Sequence, residues 1–181
     1  VRAGIFQGPG GLEGLDVKHV SLDVLNPESL VSAFEGTDVV CHCAAAISIM
    51  GGQGGRVEAI NIEGTKNVVE ACLQTGVGRL VHFSSVHALD PMPGDETIDE
   101  ARALALGDHF PAYTRSKAGG EMAVLAGVGP RAKFAGTHLL CECKVEPEPP
   151  ELPAYKYVCN EPYFVFSTFC SYTWICTKNI I

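Results

Sequence analysis

No two of the eight cysteines stand in the C-x-x-C spacing of a zinc site or a redox dithiol, so no metal is expected. No apolar run reaches the ~20 residues that a membrane-spanning helix needs. Positive charge is scarce, with 13 Lys and Arg against 21 Asp and Glu and a formal net charge of −8. Such a surface repels nucleic acid and anionic membranes, so neither is expected as a partner. The opening residues, Val1-Arg2-Ala3-Gly4, show no charged-then-apolar leader pattern. These absences lead to the expectation of a soluble, cytoplasmic protein. Cys41, Cys43 and Cys72 sit within apolar patterns and are expected to be buried thiols, while Cys141-x-Cys143 makes no ligand pattern.

What the sequence does have is a globular balance, 46% hydrophobic and 19% charged over 181 residues. Its hydrophobic period keeps switching. Val17 to Leu22 alternates like a short strand. Asn26-Pro27-Glu28 then opens a helix: Asn26 can cap it, Pro27 suits the first helical position, and Glu28 suits the positive dipole end. Leu30, Val31 and Phe34 give that helix one apolar face, and Gly36 ends it. Asp38 to Ala46 is a nearly continuous apolar run, as in a parallel strand covered on both faces. After a glycine-rich stretch, Gly51 to Gly55, a helix is expected from Val57 to Gln74, stopped by Gly76. Arg79 to Ser85 reads as a strand ending in two serines, and Pro111 to Ala126 as a helix. Strands and helices in this order make a βαβ series, hence a parallel sheet with right-handed crossovers. Ligands bind such sheets beyond the carboxyl ends of the strands. Asp23, Ala44-Ala45-Ala46 and Ser84-Ser85 stand at those ends.

Tyr113-Thr114-Arg115-Ser116-Lys117 is the sharpest motif. Tyrosine and lysine four apart share one helical face. A tyrosine hydroxyl is a poor base at neutral pH, but an adjacent ammonium favours its ionised form. A serine hydroxyl from a neighbouring strand can hold a substrate oxygen. Together the three groups can take the proton from an alcohol while a nicotinamide takes the hydride.

With those residues in place, the stretch from Val1 to Val128 resembles an extended short-chain dehydrogenase/reductase. That group includes sugar-nucleotide epimerases, dihydroflavonol reductases and 3β-hydroxysteroid dehydrogenases. The resemblance implies NAD or NADP as cofactor. It implies Ser85, Tyr113 and Lys117 as catalytic residues, with Tyr113 as base and Ser85 holding the substrate oxygen. Asp23-Val24 resembles the pair that holds the adenine, Ala44-Ala45-Ala46 the small-residue turn under the cofactor, and Asn61 the first residue of the Asn-x-x-Gly-Thr helix near it. Tyr113 and Lys117 would also touch the cofactor. Asp23 could equally be a helix-entry residue, and Asn61 a hydrogen-bonding residue in the seam between sheet and helix. Ser84 reads as structural, and His82 and His87 as packing or solvated residues.

The sequence departs from that family at both ends. Gly8, Gly11 and Gly14 have the spacing of a phosphate-binding turn, but only two residues separate Gly14 from the strand at Val17. Val1 to Phe6 therefore reads as the second family strand, and the first strand and the phosphate-binding turn are expected to be missing. That leaves two open sheet edges. Gln7, where NAD and NADP would be told apart, is neither acidic nor basic. The expected fold is α/β, a partial Rossmann-like parallel sheet with flanking helices over residues 1–128, followed by a non-homologous tail over 129–181. The expected function is an NAD(P)-dependent oxidoreductase acting on a small-molecule alcohol or ketone, closest to 3β-hydroxysteroid dehydrogenases and dihydroflavonol reductases. The alternatives are a nucleotide-sugar epimerase or dehydratase, or a truncated, inactive family member. By the same resemblance the helices at Val57–Gln74 and Pro111–Ala126 would pair two copies as a homodimer.

Overall fold

A computed structural model describes residues 1–6, 12, 14–48, 51–96, 98 and 101–127, with the backbone of two further strands at Ala135–Leu139 and Tyr172–Cys176. Gln7, Gly8, Gly11 and the remainder of the expected tail lie outside the described residues.

The chain opens with β1 (Arg2–Ile5), which pairs in parallel with β2 (Lys18–Ser21). Helix α1 (Pro27–Phe34) begins as its sequence dictates: the Asn26 side chain accepts from the backbone N–H groups of Glu28 and Ser29 at 3.1 and 3.3 Å. Its far end is closed by a residue from the sheet. Arg2 Nη1 donates to the carbonyls of Ala33 and Glu35, both at 2.9 Å, so a cation meets the negative pole of α1. Gly36, with φ of 67°, then turns the chain away.

Strands β3 (Val39–His42) and β4 (Arg79–Phe83) run parallel and in register, and β5 (Ala135–Leu139) adds in parallel to β4. Between β3 and β4 the helix expected as one piece is built in three. Arg56–Glu58 forms a first turn (α2), Ala59–Glu63 a wide π-helical turn, and Gly64–Thr75 the regular helix α3, stopped by Gly76 at φ 72°. The last helix, α4, spans Ala112–Gly127.

One sheet holds six strands in the order β2-β1-β6-β3-β4-β5. Strand β6 (Tyr172–Cys176) runs antiparallel to both neighbours, pairing Arg2 with Ile175 on one side and Val40 with Ile175 on the other. The expected parallel pairing holds for β1–β2 and for β3–β4–β5, with β6 added antiparallel between them, and one expectation is corrected: β1 and β3 are not open edges. Unpaired backbone donors and acceptors in the middle of a sheet are costly, and β6 satisfies them. Nothing in a five-residue aromatic and β-branched run tells its direction or its partners, so the sequence alone did not reveal it.

Helices α1, α3 and α4 share one face of the sheet. Leu30 and Phe34 of α1, Val68 and Cys72 of α3, and Val124 of α4 close over Val40 and Leu80 with no exposed surface. Burying Phe34 stabilises the fold by about 1.5–3 kcal/mol. Since Arg2 points toward α1, its neighbours Ala3 and Ile5 face the other side, where they pack with Leu12 and Val17. Among the described residues no helix is long and apolar enough to cross a membrane, and no cluster of three potential metal ligands occurs.

Candidate active site

Asn61 sits in the π-helical turn, buried, with its side chain turned toward the sheet. Such a turn re-aims one side chain out of the regular helical spacing. Asn61 Oδ1 accepts from the Ala46 N–H at 2.7 Å, and Asn61 Nδ2 donates to the Ala46 carbonyl at 2.9 Å. The amide therefore mimics a strand and holds the turn Ala44–Ala46 just past the carboxyl end of β3. The second proton of Nδ2 goes to Ser116 Oγ at 2.9 Å, on α4. Ser116 Oγ in turn donates to the Tyr113 carbonyl at 2.7 Å.

Glycines let these pieces meet. A Cβ at Gly120 would stand 2.5 Å from the Asn61 carbonyl, so α4 reaches the π turn only because that position is bare. A Cβ at Gly64 would stand 2.7 Å from Val24 Cγ2. Val24 is thus seated on the start of α3, and Asn67 Nδ2 donates to its carbonyl at 3.0 Å. Asp23 beside it enters α1: its Oδ1 accepts from the Leu25 N–H at 2.9 Å, and its own N–H donates to Ser29 Oγ at 3.2 Å. The helix-entry geometry considered for Asp23 and the seam geometry considered for Asn61 are both observed.

Tyr113 and Lys117 lie one turn apart on α4. Lys117 is nearly buried, and its Nζ donates to the Phe83 carbonyl at 2.9 Å, at the end of β4. The chain continues through Ser84, whose Oγ hydrogen-bonds to the Glu121 carboxylate, to Ser85. Ser85 Oγ accepts from the His87 N–H at 3.2 Å and so caps the short turn Val86–Ala88. The His87 ring meets the Tyr113 ring edge-on, with centroids 6.1 Å apart. Arg115 Nη1 donates to the carbonyls of Phe110 and Asp108 at 2.7 and 3.3 Å, fastening the loop that leads into Tyr113.

The residues expected from sequence are thereby gathered at one end of the sheet. Asn61 bonds Ala46 directly and reaches Tyr113 through Ser116, Lys117 reaches the end of β4 at the Phe83 carbonyl, and Tyr113 meets the Ser85 turn at the His87 ring. Ala44 packs against the main core and Ala45 is half-buried between them. Asp23 and Val24 connect through α3. Sequence reasoning missed Ser116, Thr65 and His42. Ser116 stands three residues after Tyr113 and Thr65 four after Asn61, both on the same helical face as the residue already singled out, and that spacing was the available signal. His42 is wholly buried on β3. Burial, and secondarily the charge of Lys117, lowers its pKa to about 3.

Comparison with known proteins bears on the family and the fold. The sequence pattern of the 3-beta hydroxysteroid dehydrogenase/isomerase family matches residues 12–148, running past the Val128 boundary and through β5. The 3beta-hydroxysteroid-dehydrogenase/decarboxylase isoform 1 of Arabidopsis thaliana is 34% identical over 62% of this chain and 26% of its own length. Isoform 2 from the same plant is 31% identical over 76% of this chain and 23% of its own. The chain thus spans about a quarter of these curated relatives. A short-chain dehydrogenase/reductase superfamily protein from Agrobacterium tumefaciens, solved with bound NAD, superposes with a TM-score of 0.65 at 24% identity, over 77% of this chain and 40% of that one. The fold is Rossmann-like, and a pattern that begins at Leu12 and takes in every helix of the candidate site settles the kinship: the chain belongs to the 3-beta hydroxysteroid dehydrogenase/isomerase family.

Proposed function

We propose that this chain carries the catalytic part of an NAD(P)-dependent oxidoreductase that oxidises the secondary alcohol of a 3β-hydroxysteroid or a related small molecule. One observation carries the reading. Tyr113 and Lys117 share a helical face, and Lys117 Nζ is anchored at 2.9 Å to the last carbonyl of the strand that leads to Ser85. The named relatives, both hydroxysteroid dehydrogenases, favour this substrate class over a nucleotide sugar.

The residues suit a flat dinucleotide. The Ala44–Ala46 turn has nothing beyond a Cβ, and Asn61 fixes its backbone at the carboxyl end of β3. Asp23, Val24, the three alanines, Asn61, Tyr113 and Lys117 would line the bound NAD or NADP, whose nicotinamide supplies the hydride acceptor. Ser85 Oγ already accepts from the His87 N–H, so its own proton is available for the substrate oxygen. Tyr113 Oη takes the alcohol proton as the carbonyl forms, and the Lys117 ammonium favours the phenolate electrostatically. Two copies would pair along α3 and α4, where Leu73, Met122 and Leu125 are exposed; sedimentation would read a dimer.

The test is NAD(H) and NADP(H) binding to the purified chain by calorimetry, followed by turnover of 3β-hydroxysterols with Tyr113→Phe as control. Saturable binding with turnover that Tyr113→Phe removes supports the reading. A folded chain that binds neither nucleotide refutes it and leaves the inactive-relative alternative.

A further inference from the structure

We propose that His42 is a positioning residue: through Thr65 and Asn61, its ring fixes where the Ala44–Ala46 turn and the first turn of α4 stand. The contacts form an unbroken line. His42 Nε2 lies 3.0 Å from Thr65 Oγ1. Thr65 Oγ1 donates to the Asn61 carbonyl at 2.8 Å. A hydroxyl has one proton, and that proton is spent on Asn61. At His42 the hydroxyl must therefore accept, which puts a proton on Nε2.

The rest of the line is equally directional. The Ala46 N–H needs an acceptor and the Ala46 carbonyl a donor, so the Asn61 amide has one orientation. Its remaining proton goes to Ser116 Oγ, whose proton goes to the Tyr113 carbonyl. From β3 to α4 each donor has one acceptor, with no hydroxyl left to rotate. With burial keeping the ring neutral, only the tautomer with hydrogen on Nε2 completes this line. His42 thus acts as a fixed donor rather than as a proton carrier. Residues on β3, the π turn, α3 and α4 come to share one geometry.

The inference rests on the proposed function for what the positions serve, but the line itself is tested without nucleotide. In a ¹⁵N-labelled chain the His42 ring is expected to show the resonances of a neutral, Nε2-protonated imidazole. They should stay constant between about pH 5 and 8, where an ordinary histidine titrates. His42→Leu fills the space without a donor and should shift the backbone amides of Ala46 and of Tyr113 to Lys117. His42→Gln, which restores an N–H near the Nε2 position, should return them toward the wild type. Thr65→Val keeps the branched shape and should shift the same amides, so it carries the test even if His42→Leu does not fold. NADH affinity should fall about tenfold in His42→Leu and recover in His42→Gln. A charged or Nδ1-protonated ring, or amides unmoved in both His42→Leu and Thr65→Val, would overturn the proposal. A wild type that binds no nucleotide but shows the expected ring and amide shifts would overturn the proposed function and leave this inference standing.

Discussion

Asn61 Nδ2 donates to Ser116 Oγ at 2.9 Å, joining two helices across 55 residues of sequence. Because the same amide also pairs with both backbone groups of Ala46, one side chain ties a strand end, a π turn and α4 together. Replacing it by Asp removes two donors and sets a carboxylate oxygen against the Ala46 carbonyl. We expect Asn61→Asp to cost roughly 2–4 kcal/mol, several unmet buried polar groups at about 1–3 kcal/mol each being partly relieved by water. Urea unfolding should show a lower midpoint with an unchanged slope.

Gly120 tests how closely the helices approach. A Cβ there meets the Asn61 carbonyl at 2.5 Å and Thr65 Oγ1 at 3.4 Å, so α4 must move. Gly120→Ala should destabilise the protein by about 1–3 kcal/mol in spite of alanine's better helix propensity. Gly94 has open space and is the control: Gly94→Ala should leave the unfolding midpoint nearly unchanged.

Acid should act on His42. Its folded value of about 3 lies below the 6.5 of an unfolded histidine, so the unfolded chain binds more protons in that window. The contribution of His42 is fully present above pH 6.5 and is lost as pH falls toward 3. Relative to His42→Gln, the wild type should lose on the order of 1.4 kcal/mol per pH unit there. Parallel stability–pH curves for the two proteins would contradict this.

Cys72 is wholly enclosed in the core, and burial pushes its thiol up to about 12. The reactive thiolate is therefore scarce at neutral pH. Peptide mapping after brief alkylation should find Cys72 unmodified in the folded chain and modified after denaturation.

Much of the fold was legible because its signals are local. Asn26-Pro27 at the start of α1 and the glycines after α1 and α3 work within one turn of chain, and the structure keeps them where the sequence put them. The candidate site was legible as residue types at strand ends. What it was not legible as is a wiring diagram. The Ser116 and Thr65 bonds depend on how close α4 comes to the π turn, which Gly120 decides, and no periodicity reports an interhelix distance. The direction of β6 was hidden for a related reason. A strand's hydrophobic pattern is the same read either way, and only its partners give it a sense.

Strand β6 also sets a schedule for synthesis. Arg2 and Val40 reach each other only across Ile175, so the centre of the sheet joins the first strand described to the last one described. While the chain emerges from a ribosome, β3, β4 and the helices between them can gather by neighbouring contacts, but β1 and β2 must wait as a separate pair. Loops of that length close slowly, and the waiting edges can capture other strands meanwhile. Slower translation, or a chaperone held until β6 has emerged, should therefore raise the yield of folded protein more than either does for a sheet assembled in sequence order.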